Sequence, residues 1–257
     1  MVESKGHLNP GDAGVTFDRS TLGLDRLVRH VWIVRWNLPA GRVLPQRVLT
    51  YPACNLVITP DEAMLYGPDA SVSVRELAGR SWAVGVLLRP AAATVLSDTA
   101  AIDLVAASEP AVDAPTHAIR AAMAAGDPVD GILRDWLAPA AARVDEAGLL
   151  VNEACRLAEE RTDIVRVTDL ARRVGVTTRT LARIVKDRTG LTPKWLIECR
   201  RLQHAATTLY TRPETDLAVL AAELGYADQA HFTRRYHEVL NETPDQTRRA
   251  GRRRASR

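Results

Sequence analysis

At 257 residues, 46% hydrophobic and 25% charged, the chain has the composition of a soluble globular protein long enough for two cores, which excludes wholesale disorder. No apolar run approaches the roughly 20 residues that span a bilayer, and the opening MVESKGHLNPGDAG lacks a signal-peptide apolar stretch, so a cytoplasmic location is expected. The net charge of +3 is unevenly shared: residues 151–257 hold 21 Lys+Arg against 14 Asp+Glu, and residues 1–150 hold 13 against 17. A polyanion would therefore meet the C-terminal part. Arg248, Arg249, Arg252, Arg253, Arg254 and Arg257 supply much of that excess as a basic tail over 248–257. A solvated end explains them as well as a nucleic acid does, so charge alone decides nothing.

Residues 1–20, rich in Gly, Asp and Ser, read as a flexible lead-in. Over 21–100, VRHVWIVRW, RVLTYP, CNLVIT, SVSVREL and SWAVGVLLRP are short β-branched and aromatic runs punctuated by Pro, Gly and Asp, the pattern of a small β-rich domain, cupin-like or a small barrel. After Pro90 the texture turns Ala-rich, and the helices expected there, broken by Pro110, Pro115, Pro128 and Pro139, form a connector over 101–150. From 151 to 247 the chain reads as helices only. The expected class is α+β: a β-rich N-terminal domain, a helical connector, and an all-α C-terminal domain.

Trp32, Trp36, Tyr51, Tyr66 and Trp82 are candidates to line a pocket for an apolar or aromatic effector, although the core of a small barrel accounts for them equally well. A metal centre in the β-domain would need several converging His or Glu, yet His30 is the only histidine between residues 8 and 116. Cys54, Cys155 and Cys199 are scattered without metal or redox spacing and read as reduced buried thiols. Arg47 near Cys54 raises the idea of a reactive thiol, against which an ordinary buried one is the simpler reading. No metal and no cofactor are expected.

The segment VTDLARRVGVTTRTLARIVKDRTG has apolar positions Leu170, Val174, Leu181, Ile184 and Val185 interrupted by Gly175-Val176-Thr177, which predicts a helix, a tight turn and a second helix. Ala171 is small where two helices cross, Gly175 permits a positive φ, and Thr177 is a good N-cap. The same grammar returns in LAVLAAELGYADQAHFTRRYHEVLNETP: Ala221 and Gly225 each lie 50 residues after their counterparts, and Asp228 takes the capping role. Arg183 and Arg234 stand 51 apart, and Phe232 takes the core position of Leu181. Between the copies, Leu191, Trp195, Leu196, Leu202 and Leu209 are spaced for one long helix. Such a rigid spacer suits two recognition helices about 34 Å apart in successive major grooves.

These residues resemble the AraC/XylS family of bacterial transcription regulators over about 150–247. The most specific piece is Leu224-Gly225-Tyr226-Ala227-Asp228-Gln229-Ala230-His231-Phe232-Thr233-Arg234-Arg235-Tyr236 followed by Thr243-Pro244. The turn Thr189-Gly190-Leu191-Thr192-Pro193 and the run Arg200-Arg201-Leu202 fit as well. The resemblance implies double-stranded DNA as partner. The bases would be read by Thr178, Arg179, Ala182 and Arg183 in the first unit and Gln229, Ala230, Thr233 and Arg234 in the second. Candidate DNA-backbone contacts are Thr177, Arg172, Arg173, Lys186, Arg188, Lys194, Arg200, Arg201 and Arg235. His231 reads as a helix-packing residue. The resemblance further implies contact with RNA polymerase, a homodimer, and a small-molecule effector on the N-terminal domain. An effector-independent DNA-binding protein whose N-terminal half only dimerises is the alternative. A weaker resemblance to an N-terminal domain of uncharacterised relatives rests on residues 50–57 and Val86-Leu87-Leu88-Arg89-Pro90. No Gly-x-Ser-x-Gly elbow, phosphate-binding Gly-rich loop, His-Glu-x-x-His or paired carboxylate motif is present, so no catalytic residue and no enzyme activity are expected.

Overall fold

The computed structural model describes residues 14–49, 51–69 and 72–255. Strands β1 (Val15–Ser20), β2 (Val28–Asn37), β4 (Asn55–Ile58), β5 (Ala63–Tyr66), β7 (Arg80–Leu88) and β8 (Ser108–Pro110) form an antiparallel sheet in the order β1-β2-β7-β4-β5-β8. Strands β3 (Val43–Leu49) and β6 (Val72–Ala78) pair with each other as a separate ribbon. Alternation of side chains along each strand puts Val31, Val86, Leu56 and Leu65 in one transverse row, each at most 3% exposed. This is the inner face. On the outer face Trp32 lies over Gly85, stacks on Phe17 and donates Nε1–H to Asn55 Oδ1 at 3.3 Å.

Val15–Ser20 falls within the expected lead-in, yet it pairs with β2 residue by residue through Val15↔Trp36 and Ser20↔Val31. Residues 1–13, the other part of that lead-in, lie outside the described residues. The alternation in VTFDRS is half polar, as it should be in an edge strand with one wet face, and this muted the signal.

A 3₁₀ turn (Pro90–Ala92) leads into α1 (Ala93–Leu96), followed by α2 (Thr116–Ala125), α3 (Asp130–Ala142) and α4 (Glu146–Glu160). The prolines do not all act as breakers. Pro110 sits in β8, Pro115 occupies the position before α2 without capping it, Pro128 precedes α3, and Pro139 is carried inside α3. Pro139 lies in the last turn and forfeits the bond that an N–H there would make to the carbonyl four residues back. Then come α5 (Val167–Val174), α6 (Thr178–Thr189), α7 (Pro193–Thr211), α8 (Leu217–Glu223), α9 (Gln229–Leu240) and α10 (Pro244–Ala255). The expected basic tail is thus helical through Ala255. In it, Arg248 donates to the Thr215 carbonyl and Arg252 makes a bidentate pair with Glu214 at 3.0 and 3.1 Å.

Helix α4 joins the sheet to the helices. Its Asn152 donates to the Arg26 carbonyl (2.8 Å) and accepts from Ala91 N–H (2.9 Å), while Glu159 takes both guanidinium nitrogens of Arg29 at 2.5 and 2.8 Å. One apolar cluster runs without interruption from Leu22 through the sheet and α2–α4 into Leu170, Leu181, Val185, Leu196 and Ile197. A second begins at Leu202 and comprises Ala205, Leu209, Leu220, Ala221, Phe232, Tyr236 and Leu240, among others. Helix α7 contributes to both.

The five tryptophans, at 32, 36, 82, 136 and 195, all precede the second cluster in the chain. Phe232→Ala, which removes a ring that is 0% exposed, should destabilise the second cluster by about 3–5 kcal/mol. In a thermal scan part of the helical circular dichroism should then melt early while tryptophan emission keeps its wild-type midpoint. Coincident early shifts of both signals would show that the two cores unfold as one.

Candidate nucleic-acid interface

In the first unit, Thr177 Oγ1 accepts from Thr180 N–H at 3.1 Å and starts α6, while Gly175 at φ +82° turns the chain out of α5. In the second, Asp228 Oδ1 accepts from His231 N–H at 2.6 Å to start α9, and Gly225 sits at φ +75°. The turns are also closed by the same long-range backbone bond: Val176 N–H to Ala171 O (3.0 Å) and Tyr226 N–H to Ala221 O (2.9 Å). The 50-residue repeat in the sequence is therefore a repeat in hydrogen bonding. Leu181, Ile184 and Val185 bury one side of α6, and Phe232, Tyr236, Val239 and Leu240 one side of α9. His231 packs edge-on to Tyr226 at 5.4 Å.

The opposite faces are open. Thr178, Arg179, Ala182 and Arg183 are exposed on α6, and Gln229, Ala230 and Arg234 on α9, with Thr233 half-buried between them. Arg183 lies 3.4 Å from Asp187, both well exposed, and such a pair constrains little. Among the described residues Arg179 and Arg234 have no ion-pair partner.

The nine residues expected on the DNA backbone separate into two groups. Thr177, Arg172, Lys186 and Lys194 are exposed, Arg172 at 77% of its side chain and 3.4 Å from Asp169, and Arg173 pairs with Asp163 at 3.0 Å. The other four are engaged by partners within the fold. Arg188 donates to Asp145 Oδ2 (2.6 Å) and Thr94 Oγ1 (3.0 Å), bridging α6 to α1 and the cap of α4. Arg200 is buried, with its guanidinium on the Ile164 carbonyl at 3.2 Å. Arg201 donates to the Val165 carbonyl at 3.0 Å. Arg235 grips Glu198 with two bonds of 2.7 and 2.8 Å and also reaches Glu238. Helical periodicity gave their faces, whereas their partners, the local Glu238 apart, lie 36 to 94 residues away in sequence. The amide of Gly148 and then Arg188 hold the Asp145 carboxyl below the usual carboxylate range. Next to Arg188, Gly190 packs so closely that a Cβ would fall 2.5 Å from Val105 Cγ2 and 2.6 Å from the Ala101 carbonyl.

The five aromatics of the sheet do not converge. Trp36 and Trp82 line an open depression of about 770 Å³ together with Arg35, Arg80 and Met123. Trp32 is stacked on Phe17, while Tyr51 and Tyr66 lie under the guanidinium groups of Arg29 and Arg75 at 4.1 and 4.5 Å. Cys54 is buried, and burial pushes its thiol up to about 12, away from the thiolate form. Among the described residues no group of three His, Cys, Asp or Glu could hold a metal ion, and no helix is long and apolar enough to cross a membrane.

The two capped turns, their buried cores and their exposed polar helix faces define the C-terminal region as a tandem helix-turn-helix DNA-binding unit. Residues 170–250 match the family model of a helix-turn-helix domain, and residues 20–108 match a domain of unknown function (DUF6597). Residues 170–250 carry an AraC-type helix-turn-helix domain, which supports DNA-binding transcription regulation. Among solved structures, the chain is similar to a transcriptional regulator with an AraC-type DNA-binding domain from Chromobacterium violaceum (28% identity over 40% of this chain and 92% of that one, TM-score 0.36). It is similar to a probable AraC family regulator from Rhodopseudomonas palustris (27% identity, 38% and 97%, TM-score 0.34). A third similar structure is ToxT from Vibrio cholerae (12% identity, 92% and 96%, TM-score 0.41). No curated protein matches the chain significantly.

The caps make a direct test. Asp228→Ala leaves the start of α9 uncapped and should cost about 1 kcal/mol, whereas Asp228→Asn should stay within a few tenths of wild type in urea titration. Equal losses from both substitutions would show that the carboxylate matters for a reason other than capping.

Proposed function

We propose that the chain regulates transcription by reading DNA sequence through α6 and α9 in successive major grooves on one face of the duplex. The observation that carries this reading is the repeated cap, turn and exposed helix face, presented twice on one 19-residue helix. At 1.5 Å per residue α7 is about 28 Å long, commensurate with the roughly 34 Å between successive grooves. Arg179, Arg183 and Arg234 suit the O6/N7 edge of guanine, and Gln229 the N6/N7 edge of adenine. Thr178 and Thr233 supply hydroxyls, and Ala182 and Ala230 leave room for a thymine methyl. Thr177, Arg172, Arg173, Lys186 and Lys194 form the phosphate set. Arg188, Arg200, Arg201 and Arg235 are assigned to holding the fold.

Gating by an effector is part of the proposal, because the first unit shares its core with the β-sheet and the second does not. A ligand that reshapes the sheet would move α6 through α4 and Arg188 and leave α9 behind, altering whether both grooves can be engaged together.

Selection of bound duplexes from a random library tests the readout, with Arg183→Ala and Arg234→Ala run in parallel. Wild type should recover two short motifs about one helical turn apart. Each substitution should blur one of them and weaken binding by about 1–3 kcal/mol, and affinity should fall with salt in proportion to the phosphates contacted. A single motif blurred by both substitutions would overturn the tandem reading.

A further inference from the structure

The two apolar clusters share no residue, and the passage from one to the other along α7 falls between Ile197 and Leu202. In that gap apolar packing does not set how the second unit sits relative to the first. Of the four residues in it, Cys199 is a buried thiol, and Glu198, Arg200 and Arg201 are charged. Arg200 and Arg201, consecutive on α7, take consecutive carbonyls of the loop entering α5: Arg200 bonds Ile164 O and Arg201 bonds Val165 O. Neighbouring side chains on a helix diverge by about 100°. Arg200 accordingly points inward, and Arg201 faces the second unit.

There the Arg201 guanidinium meets the turn between α8 and α9. Its Cζ lies 5.7 Å from the centroid of the Tyr226 ring, and its Nη2 lies 3.3 Å from the position a Cβ would take on Gly225. Val165 Cγ1 is 3.9 Å from that same position. The loop of the first unit, the arginine on the spacer and the turn of the second unit thus converge at one point. One helical turn back along α7, Glu198 holds Arg235 of α9 by its bidentate pair, which ties the second recognition helix to the same segment.

We propose that Arg201 is a positioning residue that sets the spacing between the two DNA reads, because its guanidinium joins the Val165 carbonyl to the Gly225-Tyr226 turn across the junction of the two cores. This inference rests on the tandem reading above. The required tolerance is severe. One base pair more or less displaces a half-site by about 3.4 Å and rotates it by about 35°. A junction that lets the units rock by that much cannot distinguish adjacent spacings. A guanidinium suits such a junction because its planar fork donates in the plane to a carbonyl while its face lies against an aromatic ring, which an ammonium cannot do together.

The test uses the full chain with Arg201→Met, which keeps the apolar stem, and Arg201→Lys, which keeps the charge without the fork. Spin labels on Thr168→Cys of α5 and Ala222→Cys of α8, both exposed, report the distance between units by pulsed electron resonance, since the native Cys54, Cys155 and Cys199 are buried. The background with Arg201 intact should give one narrow distance, and both substitutions a broad one. Duplexes recovered by wild-type selection are then re-spaced by one and two base pairs, alongside a duplex carrying one half-site. Wild type should prefer one spacing by roughly tenfold, and the variants should bind all spacings nearly alike while binding the single half-site as wild type does. If Arg201→Met fails to fold by circular dichroism, the lysine variant carries the comparison. An unchanged distance width, or a spacing preference retained in the variants, overturns the role of Arg201 and leaves the tandem reading standing. Wild-type indifference to spacing overturns the tandem reading itself.

Discussion

Everything in the C-terminal half depends on one helix serving two cores. The early turns of α7 bury Leu196 and Ile197 against the cluster that begins in the β-sheet, and its later turns bury Leu202, Ala205 and Leu209 against α8 and α9. A 19-residue helix is stiff along its own axis, so it fixes the distance between the units. It does not by itself fix their rotation. Each unit brings its own apolar cluster, and the contacts that bridge them at the surface are polar: guanidinium to carbonyl, guanidinium to ring, carboxylate to guanidinium. Polar contacts are directional where apolar burial is not, which makes them suited to setting an angle.

The same division makes the two units unequal. The first is fused to the rest of the protein by a shared core, by Arg188 bridging Asp145 and Thr94, and by the close seating of Gly190 on residues 101–105. The second touches the remainder chiefly through α7 and is closed off by α10, whose Gly251 packs against the Tyr210 backbone. The working boundary we propose therefore lies inside α7, well after the expected one near residue 150. The choice matters for any signal from the N-terminal sheet. It would be delivered to α6 as a rigid displacement, with α9 as the relatively independent arm.

What the sequence made legible follows from what local physics can encode. The turn glycines, the caps Thr177 and Asp228, and the apolar faces of α6 and α9 are set within a few residues, and the structure has each where its pattern puts it. Strands β2, β4 and β7 were legible because their inner faces are continuous rows of Val, Leu and Ile. Strands β1, β5 and β8 were not, being short or edge segments whose pairing depends on a partner found elsewhere in the chain. The fates of Arg188, Arg200, Arg201 and Arg235 were equally hidden. Spacing told which side of a helix each occupies, but a guanidinium on the DNA-binding half is spent or available according to a carboxylate or carbonyl brought in by tertiary folding. The placement of the aromatics was hidden for the same reason: strand parity and register position Trp32, Trp36, Tyr66 and Trp82, while Tyr51 lies outside the strands.

With four of the expected phosphate-binding arginines engaged internally, the balance between affinity and specificity shifts on the reading proposed here. Non-specific DNA binding scales with the cations free to displace counterions, and each one withdrawn flattens the salt dependence by roughly one unit of slope. The remaining set is small, and Arg183 is partly screened by Asp187 until a base edge offers it a better bidentate partner. An exposed pair of that kind is worth at most about 1 kcal/mol, so it gives way readily at the right guanine. Discrimination then has to come from base contacts made at both grooves at once. That requirement is met only while the two recognition helices keep their register, which returns the burden to the polar junction on α7.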